Sequence, residues 1–275
     1  MRLQLTLKPL EKNSVIPINY QYPIAAAIYK ILSCSCEEYA TWLHDRGYLS
    51  SDGKPMKFFV FSRLSIDEQE QRGNMLIAKN FSLCRLTLSS PMLNDFFNNF
   101  LIGLFQNQTF DIGNRETVAR FVIKDIEALP PCGLYRPEIR QESIIKFKCL
   151  SPIVLSTMQE YQGELRQHYF RPDDPNLSEA IRKNLIHKFH TMTQSYPKDD
   201  SLEFILDEQY IQRKGGASKI SKLISICEGD ESREVKIKSF TCPFFLKGSI
   251  ELIQCAYECG IGEKNSLGFG MIEMV

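Results

Sequence analysis

The chain has 275 residues, of which 43% are hydrophobic and 24% are charged, and its 33 basic residues balance its 33 acidic ones. This composition excludes a disordered or fibrous protein, and the length suits one large domain or two domains of about 130 residues each. Because no stretch of about 18 apolar residues is present, we predict no membrane-spanning helix and no membrane partner. A net charge of zero requires any nucleic-acid-binding surface to concentrate its cations locally.

Residues 1–9 alternate between polar and apolar side chains, which indicates a strand rather than a signal sequence. The nine cysteines are scattered through apolar runs, so we expect reduced thiols and a cytoplasmic location. The pairs that invite a metal interpretation are Cys34 with Cys36 and Cys255 with Cys259. Neither pair has the C-x2-C spacing of a structural zinc site. We therefore predict free thiols, with no metal and no other cofactor.

The first half of the chain predicts the order strand, helix, strand, strand, helix, strand. The segments are a strand at 1–9, a helix from Pro23 that restarts after Ser35, strands at 57–64 and 81–89, a helix at 91–105 and a strand at 116–129. Ser35 and Glu38 have the spacing of a capping box, which predicts the start of a second helix. This order of elements is that of a ferredoxin-like domain.

The second half repeats the order more loosely after the interruption Pro130-Pro131-Cys132-Gly133. Its segments are a strand at 144–150, a helix at 177–190, strands at 202–206 and 234–245, a helix at 249–259 and a strand at 267–275. We therefore predict an α+β fold of two tandem ferredoxin-like (βαββαβ) domains, comprising residues 1–132 and 133–275.

The most specific motif is the glycine-rich segment GIGEKNSLGFG, which lies between the last predicted helix and the last strand. Its glycines permit positive φ values, and exposed backbone N–H groups can then hold phosphate oxygens. Nucleotide-binding loops follow a strand and precede a helix, so the reversed order here counts against a nucleotide cofactor. A purely structural turn is the alternative. The residues that we predict to contact RNA in this loop are Gly260, Gly262, Lys264, Asn265, Ser266, Gly268 and Gly270.

The pattern G-x-G-x5-G-x-G after a short helix resembles the signature loop of the CRISPR-associated precursor-RNA endoribonucleases. That family belongs to the repeat-associated protein superfamily of tandem ferredoxin-like folds. The strongest similarity covers ELIQCAYECGIGEKNSLGFGMIEM, and weaker similarity covers LKPLEKNSVIPINYQYPIAAAIYKIL, ATWLHDRGY, MKFFVFSRL and CLSPIVL. The resemblance implies a protein that binds the repeat portion of CRISPR transcripts and cuts it once per repeat. It leaves open whether a second copy of the chain or other CRISPR effector subunits are partners.

The resemblance also implies a catalytic site. His44 in WLHD matches the family's histidine, Tyr29 in AIYKIL matches its tyrosine, and Lys57 in MKFFVFS matches its lysine, with Lys54 as the alternative. Such a site cleaves RNA without metal when the 2′-hydroxyl attacks the neighbouring phosphate, leaving a 2′,3′-cyclic phosphate and a 5′-hydroxyl. Histidine suits the proton transfers and lysine the phosphate charge. On one unbroken helix Tyr29 and His44 would lie roughly 22 Å apart, so the site requires the break near Ser35.

Residues 211–240 are rich in cations and predict a second RNA-contacting surface. Within it we single out Arg233, Lys236 and Lys238, because the two lysines alternate with Val235 and Ile237 and would share one face of a strand. A solvated face on an exposed hairpin is the alternative. For the whole protein, the alternative to an endoribonuclease is a non-catalytic subunit of the same fold that only binds the repeat RNA.

Overall fold

The computed structural model describes residues 1–114, 116–135, 143–161, 163–227 and 234–275. The strands of the N-terminal half are β1 (Arg2–Pro9), β2 (Ser14–Pro17), β3 (Tyr48–Leu49), β4 (Pro55–Met56), β5 (Val60–Phe61), β6 (Ser65–Ile66), β7 (Gln69–Arg72), β8 (Met75–Ala78), β9 (Cys84–Ser89), β10 (Thr109–Gly113) and β11 (Val118–Ala128). Its α-helices are α1 (Gln21–Ser35), α2 (Glu37–Asp45) and α3 (Asn98–Gln106), the last preceded by a π-turn at Leu93–Phe97.

The main sheet of this half is antiparallel, with the strand order β10-β11-β1-β9-β5. Strand β1, the first of the ferredoxin-like unit, thus lies between β11, the last, and β9, the third, as that topology requires. Leu3, Leu5 and Leu7 alternate along β1 and are all buried, because side chains on a strand alternate between its two faces. They share one hydrophobic core with the buried face of α1, which includes Ile24 and Ile28.

The C-terminal half repeats this arrangement. Its strands are β12 (Ile145–Cys149), β13 (Ser156–Tyr161), β14 (Glu164–Tyr169), β15 (Leu202–Leu206), β16 (Ser221–Ile226), β17 (Val235–Phe240), β18 (Phe244–Gly248) and β19 (Ile272–Met274). Its helices are α4 (Leu177–Thr193), α5 (Glu208–Lys214), α6 (Ala217–Ile220) and α7 (Ile250–Cys259). The antiparallel sheet has the order β15-β18-β12-β19, which is again that of a ferredoxin-like unit. The structure therefore confirms the predicted tandem architecture.

Several local predictions need correction. The capping box at Ser35 is wrong, because Ser35 ends α1 and its hydroxyl donates to Asn99, while Cys36 forms the break before α2. The strand predicted at 234–245 is two strands, β17 and β18, which belong to different sheets. Strand β10 and the hairpin β13–β14 were not predicted. The predicted domain boundary at residue 132 falls in the connection between β11 and β12.

The two halves are joined through a buried arginine. Arg2 on β1 donates from Nη2 to the carbonyl oxygens of Tyr257 (2.5 Å) and Ile272 (2.7 Å), and its guanidinium lies 3.3 Å from the centre of the Tyr257 ring. Burial lowers the pKa of Arg2 to about 10. The first strand of one half is thus bound to the last helix and last strand of the other. No helix in the described part of the chain is long and apolar enough to cross a membrane.

Candidate active site and nucleic-acid interface

Tyr29 and His44 meet because the chain breaks between α1 and α2. Cys36 adopts an extended conformation (φ −151°, ψ 104°), which ends the first helix and lets the second fold back along it. The rings of Tyr29 and His44 pack edge to face, with centroids 5.1 Å apart and planes inclined by 81°. Two residues that one straight helix would hold far apart are therefore in direct contact.

The environment of Tyr29 keeps its phenol neutral. Its ring packs against Phe59 with centroids 5.6 Å apart, and burial raises its pKa, helped by the nearby carboxylate of Asp45. His44, by contrast, is 66% exposed at its side chain, and its Nδ1 lies 2.8 Å from Asp45 Oδ1. When Nδ1 carries the proton and donates to Asp45, Nε2 is the nitrogen left for a substrate. The pair thus combines a protonated phenol with an accessible imidazole.

Lys57 completes the cluster that the sequence predicted. Its Nζ donates to the backbone carbonyl of His44 at 2.6 Å, and partial burial lowers its pKa. Gly47 makes this approach possible, since a Cβ there would lie 2.6 Å from the Met56 carbonyl oxygen and 2.9 Å from Lys57 Cδ. Lys54, the alternative lysine, is 79% exposed and pairs with Asp52 at 3.0 Å. The geometry favours Lys57 as the cation of the site.

The glycine-rich loop is held against the N-terminal half. Its four glycines all have positive φ, from 72° to 82°, and all are buried. At Gly268, with φ 78°, a Cβ would overlap the ring of Phe61 on β5. Both the backbone conformation and the close approach therefore require glycine there. These glycines shape the loop, and the part of it that is partly exposed to solvent comprises residues 263–267.

Asn265 belongs to the internal framework of the loop. Its Nδ2 donates to the carbonyls of Ile261 (3.2 Å) and Phe269 (2.9 Å), and its Oδ1 accepts from Lys188 at 2.7 Å. The backbone N–H groups of Gly268 and Gly270 are likewise bonded within the protein, to Asn265 and Pro152. Of the predicted RNA contacts in this loop, Lys264 and Ser266 are the side chains that remain available.

A cavity of about 760 Å³ connects the loop with the candidate catalytic residues. Lys264, Asn265 and Ser266 line one side of it, and Lys54, Lys57 and Phe59 line another. Tyr29 and His44 lie beside this cavity rather than in its lining, connected to it through Phe59 and Lys57. Asp52 and Glu263 are its acidic residues. The excess of lysines over carboxylates suits a polyanion.

Helix α4 adds residues to this cavity that the sequence analysis missed. Asn184, His187 and Lys188 all line it. The amide oxygen of Asn184 is buried and has no hydrogen-bond partner in the described part of the chain. Apart from the position of Lys188 on the apolar face of the helix, nothing in the local sequence indicates these roles.

The second predicted surface lies elsewhere. Lys236 and Lys238 are exposed on one face of β17, opposite Ser225 and Leu223 of β16. They are not among the residues that line the 760 Å³ cavity. Arg233 lies outside the described residues. A separate cavity of about 460 Å³ contains Arg63 and Arg85, and Arg63 reaches Thr241 of the C-terminal half at 2.8 Å.

All nine cysteines are thiols rather than disulfides in the structure. Cys255 and Cys259 are buried with their sulfurs 3.9 Å apart, one helical turn from each other. Within the described ranges, no group of three or more His, Cys, Asp or Glu side chains is placed to hold a metal ion.

Two family models match the chain, and together they span most of it. The C-terminal model of the CRISPR associated protein Cas6 matches residues 134–274, and the N-terminal model of the CRISPR-associated protein Cas6 matches residues 15–127. A solved structure of a Cas6-related protein from Pyrococcus furiosus superposes with a TM-score of 0.77 at 25% identity, covering 100% of this chain and 98% of that one. A structure described as CRISPR associated protein Cas6 superposes with a TM-score of 0.71 at 28% identity, covering 100% of this chain and 99% of that one.

Curated relatives agree with these matches. CRISPR-associated endoribonuclease Cas6 1 from Methanocaldococcus jannaschii is 29% identical over 99% of this chain and 92% of its own length. CRISPR-associated endoribonuclease Cas6 from Pyrococcus furiosus is 23% identical over 100% of this chain and 90% of its own length. A further relative from Pyrococcus furiosus is named endoribonuclease-like. It is 26% identical over 100% of this chain and 99% of its own length. On the strength of the two family models, this chain belongs to the Cas6 family of CRISPR-associated proteins.

Proposed function

We propose that this protein is an endoribonuclease that binds CRISPR repeat RNA and cuts precursor transcripts into CRISPR RNAs. The observation that carries the proposal is the convergence of Tyr29, His44 and Lys57 beside a lysine-rich cavity. Relatives that match nearly the whole chain bear the name endoribonuclease. The proposal therefore combines a cluster of proton-transfer groups with an adjoining surface suited to phosphate.

The reaction that fits these groups is transesterification without a metal ion. His44 takes the proton of the 2′-hydroxyl as its oxygen attacks the adjacent phosphorus. The bond from phosphorus to the 5′-oxygen breaks, and that oxygen receives a proton from the imidazolium of His44 or from the phenol of Tyr29. Lys57 supplies positive charge to the crowded phosphate. The products are a 2′,3′-cyclic phosphate and a 5′-hydroxyl.

RNA contacts in this proposal extend beyond the catalytic cluster. Lys264 and Ser266 face the cavity and bind phosphate oxygens next to the cut. Lys236 and Lys238 form a separate cationic patch for a more distant part of the repeat, and Arg233, which lies outside the described residues, is proposed as a further RNA contact. Arg63 adds a cation in the second cavity, where Arg85 is paired with Asp67. Phosphate contacts of this kind weaken as the salt concentration rises. The slope of RNA affinity against salt concentration therefore reports how many of them form.

A non-catalytic RNA-binding subunit is the second candidate. It is favoured by the absence of Tyr29 and His44 from the lining of the 760 Å³ cavity. The endoribonuclease-like name of one relative points the same way. In that case the cavity holds RNA and the adjacent histidine exchanges no proton.

The test is incubation of the purified protein with its cognate repeat RNA in EDTA. The matched control is the same RNA with a single 2′-deoxy nucleotide on the 5′ side of the cut. The proposal predicts one cut with a cyclic phosphate end in the first RNA, and equal binding without cleavage in the second. Tight binding of both RNAs without any cut would support the non-catalytic candidate instead.

A further inference from the structure

Lys188 is a buried lysine whose hydrogen bonds all go to the glycine-rich loop. It projects from α4 and is 5% exposed. Its Nζ donates to the carbonyl oxygens of Gly260 and Gly262, both at 2.6 Å, and to Oδ1 of Asn265 at 2.7 Å. An ammonium group has three N–H donors, and three acceptors meet it here. The side chain is therefore fully satisfied by one loop.

Placing a charge at this position is costly. Burial lowers the pKa of Lys188 to about 8, and its three hydrogen-bond acceptors are two backbone carbonyls and an amide oxygen rather than carboxylates. Cys255 and Cys259 on α7 and Glu263 in the loop are the titratable groups that face it. A methionine would fill the same space without a desolvation penalty. The presence of a lysine therefore indicates that this position needs hydrogen-bond donors, which apolar packing does not provide.

The three acceptors suggest what that requirement is. Gly260 follows the last residue of α7, so the ammonium lies at the negative end of that helix. Because the carbonyl oxygens of Gly260 and Gly262 both accept hydrogen bonds from the Lys188 ammonium, its positive charge offsets their negative ends beside the cavity that Lys188 also lines. Asn265 clamps the same loop from within, through Ile261 and Phe269. Lys188 and Asn265 thus form one bracket that holds the segment carrying Lys264 and Ser266.

We propose that Lys188 is a positioning residue for RNA binding, which binds the carbonyl oxygens of the loop and so holds Lys264 and Ser266 facing the phosphates of the bound RNA. The proposal rests on the function proposed above. Direct contact between Lys188 and RNA is disfavoured, since all three of its donors are occupied within the protein. Its charge nevertheless adds to the positive potential of the cavity that it lines.

The test compares Lys188→Met with Lys183→Met on the same helix. Lys183 is 66% exposed and pairs with Glu179 at 3.4 Å, so its variant removes a charge without touching the loop. We expect Lys188→Met to weaken binding of the cognate repeat RNA at least tenfold. Without RNA, it should accelerate amide exchange of residues 261–268 at least tenfold. The cleavage rate at saturating RNA should change less than threefold, and Lys183→Met should change none of these.

The outcomes separate this inference from a general structural role and from the proposed function. A lowered melting temperature with unchanged loop exchange and unchanged RNA affinity would overturn the inference. If the wild type binds no RNA, the proposed function fails, while loop exchange still decides whether Lys188 holds the loop. If Lys188→Met does not fold, Asn265→Ala removes one acceptor of the bracket. That variant must then show faster loop exchange and weaker binding, and normal values for both would overturn the inference.

Discussion

The imidazole of His44 packs edge to face on the ring of Tyr29 across the break at Cys36, with the ring centroids 5.1 Å apart. Lys57 fixes the end of the same helix by donating to the His44 carbonyl. The contact depends on how α1 ends, since a helix continuing through Cys36 would separate the two rings.

Tyr29→Phe removes the phenol hydroxyl and keeps the ring that packs on Phe59 and His44. We expect the single-turnover cleavage rate to fall by about 10- to 100-fold, because a positioned proton donor contributes on this scale. RNA affinity should stay within threefold of the wild-type value. A rate within twofold of wild type would remove Tyr29 from the mechanism.

Tyr29 also predicts a dependence of stability on pH. Its pKa in the folded protein is raised, so the neutral phenol contributes stability that is fully present below about pH 10 and is lost above it. The free energy of unfolding of the wild type should therefore fall relative to Tyr29→Phe by roughly 1 kcal/mol between pH 9 and pH 11. Urea unfolding of both proteins measures this difference. The other tyrosines are the same in both proteins, so their contributions cancel. A constant difference would mean that Tyr29 is not buried as described.

The two candidate lysines have different environments, and their variants should differ. Lys57→Ala removes the cation that contacts His44, so we expect at least a 30-fold loss in cleavage rate at saturating RNA. Lys54→Ala removes an exposed cation paired with Asp52, and we expect less than a threefold change. Parallel single-turnover assays make the comparison. A larger loss of cleavage rate in Lys54→Ala than in Lys57→Ala would assign the catalytic role to Lys54.

Arg2 should be critical for stability although it lies far from the catalytic cluster in sequence. Arg2→Met leaves the carbonyls of Tyr257 and Ile272 without their donor and removes the stacking on Tyr257. Each unsatisfied buried acceptor costs about 1–3 kcal/mol, so we expect a loss of roughly 3 kcal/mol in the free energy of unfolding. Urea denaturation checks this value. A loss below about 1 kcal/mol would show that Arg2 does not join the two halves.

Gly268 tests the packing of the loop against the N-terminal half, with Gly163 as its control. Both have φ near 80°, but an added Cβ meets nothing within 4 Å at Gly163 and overlaps Phe61 at Gly268. Gly163→Ala should cost about 1–2 kcal/mol from backbone strain alone. Gly268→Ala should cost at least about 1 kcal/mol more and should weaken RNA binding. Equal losses in thermal stability would contradict the described packing.

The sequence predicted the tandem fold because its apolar periodicity is regular in both halves, as in β1 and α7. It misplaced elements where local chemistry is ambiguous. Residues 234–245 have strand-like alternation up to Phe240 and continue into Phe244 and Phe245, and the pairing of β17 with β16 and of β18 with β12 divides the segment between two sheets. The role of Lys188 depends on contacts more than 70 residues away. Its one signal is position, since Ile181, Leu185 and Lys188 follow a helical spacing along the buried face of α4.

The measurement that tests the central claim most directly is single-turnover cleavage of the cognate repeat RNA by His44→Ala. The matched control is His190→Ala, whose ring packs on Tyr196 away from the site. We predict that His44→Ala binds the RNA within threefold of wild type but cleaves it at least 100-fold more slowly, while His190→Ala cleaves normally. Cleavage by His44→Ala at the wild-type rate would contradict the assignment of the active site to the contact between Tyr29 and His44.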